Sequence, residues 1–338
     1  MLGPKTTEKI SDPRLRLLVR WLGEKLRDNE LHVKPASADA SFRRYFRVWS
    51  GGDTYIAMDA PPDKESCAAF VKIARLLKAG GLNAPHIYHE DHKQGFLLLT
   101  DFGTTDYLSK LNANSANALY SDAFDALLTI QSTVPTAAVP AYDTALLQNE
   151  MNLFSDWFLQ RHLNIDISDR IAKVLEETCQ LLIQNALQQP QVFVHRDYHS
   201  RNLMVCETNN PGLLDFQDAV KGPITYDLVS LLRDSYIAWP AQQVKLWVID
   251  YFHRLNESGV VDVDEQTFVR WFDWMGLQRQ LKVAGIFAQL YYRDGKAGYL
   301  NDIPLTYRYL SDTCARYSEL AAFSAMLSDL DIAQRLAT

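Results

Sequence analysis

Val194 to Asn202 reads VHRDYHSRN, and the interpretation of those nine residues decides the fold. His195, Arg196, Asp197, His199, Arg201 and Asn202 are crowded between two apolar runs, Val192 to Val194 before them and Leu203 to Val205 after. A strand-rich interior favours none of these side chains, so their concentration there points to chemistry rather than packing. Eighteen residues after Asp197, a third short apolar run, Leu213-Leu214, ends in Asp215 within LLDFQD. Taken singly, Asp197 and Asn202 read equally well as turn caps, His195 as a satisfied core histidine and Asp215 as the end of a strand. Their conjunction in this order and spacing carries the functional reading.

Phosphoryl transfer explains the residue types. The pattern H-x-D-x-x-x-x-N, then a strand and an aspartate, supplies a carboxylate to orient an acceptor hydroxyl and take its proton (Asp197). It also supplies an amide oxygen and a second carboxylate (Asn202 and Asp215), the hard ligands that a magnesium ion accepts while keeping waters and phosphate oxygens.

The bulk composition is compatible with that chemistry. The chain has 338 residues, 47% hydrophobic and 22% charged, enough for one large domain or two lobes sharing a cleft. A formal net charge of −7 opposes a nucleic-acid polymer as partner, because phosphate backbones demand a basic face. No apolar run is long enough for a membrane span, and the start, MLGPKTTEKISDP, has no apolar signal core, so a cytoplasmic protein with a small-molecule substrate and no obligate protein partner is expected. Cys67, Cys179, Cys206 and Cys314 are too scattered for a zinc site or a disulfide framework and are expected as reduced thiols, mostly in the core.

Along the chain, Ser11 is expected to cap a helix whose Leu15, Leu18, Val19, Leu22 and Leu26 share one face. Arg44 to Trp49 and Thr54 to Asp59, parted by Gly51-Gly52-Asp53, predict a hairpin. A helical pattern from Asp63 stops at Gly80-Gly81, and Ile87-Tyr88 and Phe96 to Leu99 read as further strands. Beyond Gly103 the pattern is helical, except for the short strands around the Asp197 loop. The expected organisation is residues 1–103 as a nucleotide-binding lobe and 104–338 as a catalytic and substrate-binding lobe.

VHRDYHSRNLMV with LLDFQDAVKGPITYDLVSLL resembles the aminoglycoside phosphotransferase family, the small-molecule branch of the protein-kinase-like fold. As in that family, a second histidine follows the catalytic aspartate by two (His199), and the metal aspartate runs on into P-x-x-x-D-L at Pro223 to Leu228. The resemblance covers nearly the whole chain. It implies an α+β, two-lobed kinase with a small β-rich N-lobe, a larger mainly helical C-lobe and ATP with Mg2+ held between them. It also implies structural support of the catalytic loop by His195, His199 and Asp227, although Asp227 reads equally as a helix cap.

The N-lobe departs from the family pattern. The first hairpin should open with a glycine-rich phosphate loop, but Ala38 to Arg44 is ADASFRR, and Met58 stands where the phosphate-binding lysine is expected. Ser41, Arg43 and Arg44 are the candidate replacements as charge-assisted donors, unless the arginines are solvated strand-edge residues. Thr100 to Gly103 reads TDFG, like the metal-binding tetrapeptide of protein kinases, yet a kinase's metal aspartate follows the catalytic one, and Asp101 precedes Asp197. Its expected role is a hinge, with adenine against the backbone of Leu99, Asp101 and Phe102.

Within the family, SFRRYFRV, MDAPP, GFLLLTDFG and RQLKVAGIFAQLYYRDGKAGYLNDIP are most similar to the cell-wall-recycling kinases that phosphorylate N-acetylmuramate and N-acetylglucosamine at C1. Arg279, Lys282, Arg293 and Lys296 put positive charge beside tyrosines in an acidic protein, a mixture suited to a neutral sugar or a lactyl carboxylate. Arg233, Asp234, Arg279 and Asp294 are the substrate candidates. The alternatives are a kinase for an aminoglycoside, choline or homoserine type of acceptor, which the acidic charge favours, and a nucleotide-binding pseudokinase regulator, which the absent glycine loop and lysine favour.

Overall fold

A computed structural model describes residues 11–38 and 42–337; Ser41 and the rest of the segment 39–41, expected to meet phosphate, lie outside the described residues. In chain order the first elements are α1 (Pro13–Leu26), β1 (His32–Ala38), β2 (Arg44–Ser50), β3 (Asp53–Asp59), α2 (Ala68–Ala79), β4 (Ile87–Asp91) and β5 (Phe96–Thr100). Helices α3 (Tyr107–Lys110), α4 (Ala116–Thr133), α5 (Thr144–Leu153) and α6 (Asp169–Gln188) come next. The short strands β6 (Gln191–Val194), β7 (Leu203–Met204), β8 (Gly212–Leu213) and β9 (Val220–Pro223) are followed by α7 (Tyr226–Leu232), α8 (Ala241–Glu257), α9 (Glu265–Asp294), α10 (Ile303–Cys314), α11 (Ala321–Asp329) and α12 (Ile332–Arg335).

These elements form two units. The first runs to Asp106 and also takes in Leu203–Asp218. Its five-stranded antiparallel sheet has the order β1-β2-β3-β5-β4. Gly51 and Gly52, with φ of 60° and 94°, make the two-residue β2–β3 turn, because two successive left-handed residues match the strand twist. Helix α1 places Leu18, Trp21 and Leu22 on Phe46, Val48, Ala57, Phe96 and Leu98 of the sheet. Each such side chain contributes roughly 1.5–3 kcal/mol on burial.

Two local expectations are corrected. The α1 cap is Asp12, not Ser11: its carboxylate accepts from the backbone nitrogens of Arg14 (2.9 Å) and Leu15 (3.2 Å), with Pro13 in the first turn. The helix expected from Asp63 begins at Ala68. A single cut after residue 103 would leave Leu203–Asp218 with the C-terminal residues. Its hydrogen bonds instead join it to the first unit, from Val205 N to Thr105 O and from Leu213 N to Asn83 O, both 2.9 Å.

The second unit, Tyr107–Asn202 with the chain from Ala219 onward, is helical apart from the β6–β9 pair. Its axis is α9, whose buried residues from Phe268 to Ala288 face every direction, the signature of a central helix. Gly285 lets the end of α5 pass close by: a Cβ there would lie 2.3 Å from the Leu153 carbonyl carbon. The four cysteines are free, and only Cys206 is not buried. Among the described residues no helix is long and apolar enough to cross a membrane.

Candidate active site

The loop after β6 is built by hydrogen bonds to its backbone. Asp227, in the first turn of α7, accepts from the nitrogens of His195 (2.7 Å) and Arg196 (3.0 Å). Of its two readings, the loop support is therefore the one that its carboxylate performs. No side chain caps α7. Burial pushes the Asp227 carboxyl up to about 7 against the pull of those two amides. Arg196 takes a positive φ of 75°, a conformation a non-glycine residue keeps only when its surroundings fix it.

The turn that follows is closed on Asp197. Its carbonyl accepts from the backbone of His199 (3.0 Å) and from Asn202 Nδ2 (3.0 Å), while Asn202 N donates to the His199 carbonyl (2.9 Å). The nitrogen end of the Asn202 amide is thus committed within the loop, which sets the direction of its oxygen end. Tyr198 anchors the loop through its hydroxyl to Ala123 O (2.7 Å).

Electrostatics keep Asp197 ionised. Burial would raise its pKa, but Lys282, His199, Arg196 and His195 together outweigh burial and hold it below the ordinary aspartate value. Lys282 is itself buried on α9, with Nζ 3.1 Å from Glu150 Oε1 and 2.9 Å from the Tyr226 hydroxyl. Glu150 of α5 also pairs with Arg196 and accepts from Tyr142. Arg196 and Lys282 were singled out in the sequence as charges, but not as one group, and Glu150 was not singled out.

The remaining expected residues fall into distinct places. Asp215, in the first unit, has a left-handed backbone (φ 62°), and its Oδ1 accepts from Gln217 Nε2 at 2.7 Å. Phe216 beside it packs on Phe70 of α2 with ring centroids 4.8 Å apart. The Asp101 carboxylate is gripped by Arg47 Nε (2.6 Å) and Nη2 (2.9 Å) and accepts from Gly103 N (2.9 Å), so TDFG is a local clamp. Leu99 is buried in β5, Phe102 is half-buried and Met58 is fully buried.

Arg44 pairs with the buried Asp59 and with Asp12, a partnership that sets its guanidinium on carboxylates within its own unit. Arg43 is buried and lies 3.0 Å from Glu65. Asp234 accepts from Ser200 N (3.0 Å), Ser200 Oγ and Tyr236 N (3.1 Å), so it braces the loop. Arg233 is buried against Asp273 and the Phe272 ring, in a group that includes no loop residue. Asp294 is exposed at the end of α9 and bonded to its neighbour Arg293. Arg279, by contrast, lies buried with its charge acting on His199 and Asp227.

Comparisons with known proteins bear on the family and the fold. The sequence profile described as "Phosphotransferase enzyme family" matches residues 32–262. A Pseudomonas putida protein named N-acetylmuramate/N-acetylglucosamine kinase is 44% identical over 335 residues, covering 96% of this chain and 98% of that one. A protein of the same name from Pseudomonas aeruginosa is 46% identical over 298 residues, 88% of each chain. Among solved structures, that of the aminoglycoside phosphotransferase APH(2'')-Ib, ADP-bound, superposes with a TM-score of 0.58 at 15% identity, over 88% of this chain and 98% of that one. The likeness extends to the fold: a strand-rich N-terminal part and a mostly helical remainder, as in kinases.

Proposed function

This chain belongs to the phosphotransferase enzyme family, acting on a hydroxyl acceptor, and from that premise we propose that it phosphorylates the C1 hydroxyl of N-acetylmuramate and N-acetylglucosamine with ATP. The reaction is assigned to the cytoplasm, in the recycling of cell-wall sugars. The observation that carries the chemistry is the loop in which Asp197 is kept ionised and braced through Asp227. The acceptor is supported by the names of the two Pseudomonas relatives, and the nucleotide by the ADP in the superposed phosphotransferase.

In this reading Asp197 accepts a hydrogen bond from the sugar's anomeric hydroxyl and aligns its oxygen for in-line attack. The new bond joins that oxygen to the γ-phosphorus, the bond to the β–γ bridging oxygen breaks, and the hydroxyl proton passes to Asp197. The products are a sugar 1-phosphate and ADP. Asn202 and Asp215 each carry the kind of hard oxygen that a magnesium ion takes and are the proposed ligands; when bound, the ion would neutralise phosphate charge. The orientation of the Asn202 amide, with nitrogen committed to the Asp197 carbonyl, agrees with that assignment.

The test is magnesium-dependent ADP release with each amino sugar, followed by a reducing-end assay on the product. Phosphorylation at C1 removes the reducing end, whereas phosphorylation at any other hydroxyl leaves it. ADP release with amine acceptors alone would move the protein to another branch of the family, and nucleotide binding without turnover would make it a regulator.

A further inference from the structure

Arg279 is a buried cation whose guanidinium is not fully satisfied among the described residues. It is 4% exposed, and neither its Nε nor its Nη1 has a hydrogen-bond acceptor among the described residues. Buried guanidinium donors are almost always satisfied, so this vacancy in the hydrogen bonding calls for an acceptor from outside the chain. The acid on which its charge acts is already engaged: Asp227 holds the His195 and Arg196 amides.

The surroundings of Arg279 belong to the catalytic loop. Its charge acts on His199, Tyr236 and Asp227. His199, two residues after Asp197, has its own Nδ1 buried without a partner and its ring 5.5 Å from that of Tyr236. Arg201 lies over the same tyrosine, 3.5 Å from the ring centroid. Three residues along α9, Lys282 acts on Asp197 itself. Arg279 therefore offers unsatisfied donors beside the loop that carries Asp197, flanked by an aromatic face.

We infer that Arg279 is the specificity-determining residue that receives the carboxylate of N-acetylmuramate, an inference that rests on the amino-sugar reading above. N-acetylmuramate differs from N-acetylglucosamine by a lactyl ether ending in a carboxylate, the planar anion that a guanidinium meets with charge-assisted hydrogen bonds. A protein of net charge −7 needs a local cation to hold an anionic sugar. Nothing comparable is required for the neutral sugar.

The experiment compares kcat/KM for N-acetylmuramate, its methylamide and N-acetylglucosamine in the unmodified enzyme, Arg279→Met and Arg279→Lys. Loss of a charge-assisted pair lowers the N-acetylmuramate to N-acetylglucosamine ratio by roughly 10- to 100-fold in Arg279→Met. Arg279→Lys falls between, and the methionine variant treats acid and methylamide alike. Equal losses on both sugars, or a raised KM for ATP with the ratio intact, would overturn the inference and leave the amino-sugar reading standing. Should Arg279→Met fail to fold, the unmodified enzyme decides: no preference for the acid over its methylamide overturns the assignment. If neither sugar is turned over by the unmodified enzyme, the amino-sugar reading fails and this inference with it.

Discussion

Lys282 Nζ lies 3.1 Å from Glu150 Oε1, and the pair is buried behind the loop that carries Asp197. Glu150 also takes Arg196, so one carboxylate faces two cations and the surplus positive charge acts on Asp197. Burial works to lower the lysine's pKa, yet Tyr226, Glu150 and Asp197 keep it raised and charged. In the proposed reaction this arrangement makes Lys282 a positioning residue with an electrostatic effect on Asp197.

The consequence has a definite sign. In the proposed reaction Asp197 serves as a carboxylate, so activity is present above its pKa and is lost as pH falls through it. Removing the Lys282 charge raises that pKa, and the acid limb of the kcat/KM profile in Lys282→Met moves to higher pH. Lys282→Arg restores the limb toward its original position. The methionine variant also loses about 1–3 kcal/mol of stability in denaturant titration, because Glu150 keeps Arg196 but loses a charge-assisted hydrogen bond. An unshifted acid limb in a folded methionine variant would remove Lys282 from the electrostatics of the site.

Asp197→Asn keeps the loop backbone and deletes the proton acceptor. ADP release should fall by about 10²–10⁴-fold. Nucleotide affinity, measured by calorimetry, should change little, because the carbonyl that binds His199 and Asn202 is untouched. Retained turnover would refute the role.

Asp227 makes a different prediction, since it never needs to touch substrate. Asparagine can accept at only one of its two positions, leaving either the His195 or the Arg196 nitrogen buried and unsatisfied, at about 1–3 kcal/mol. The loop then loses its anchor, and kcat falls more than KM rises. The pH dependence of stability changes as well. With the folded pKa raised from 3.8 to about 7, this carboxyl's contribution to stability declines as pH rises across that interval, and Asp227→Asn flattens the decline. Denaturant titrations between those pH values measure it.

Local pattern made much of this legible. The glycine pair at 51–52 announced the hairpin, and the polar cluster at 194–202 announced the loop. Strand β1 was hidden because Pro35 and the surrounding polar residues weaken its signal, which an edge strand tolerates. Lys282 and Glu150 were not joined in advance because their encounter depends on how α5 meets α9, and no short-range spacing encodes that. Asp234 was singled out as a substrate candidate, and its grip on Ser200 had no signal in the sequence. An aspartate's partner is a tertiary fact, whereas its proximity to a motif is a sequence fact.

The missing phosphate lysine leaves two arginines that the structure separates. Arg44 shares the fully buried Asp59 with Arg14 and reaches Asp12 at the start of α1, tying helix to sheet. Arg44→Ala should cost about 1–3 kcal/mol of stability, since Asp59 keeps Arg14 but loses charge-assisted hydrogen bonds. Arg43 is buried and pairs with the partly exposed Glu65. It also adjoins the 39–41 segment, where the family pattern expects phosphate contacts. Arg43→Ala should therefore raise the KM for ATP by about tenfold, the effect of losing one charge-assisted contact. Thermal melts and ATP titrations on the two variants read both quantities. If Arg43→Ala leaves the KM for ATP unchanged, the phosphates are met by residues other than the two arginines.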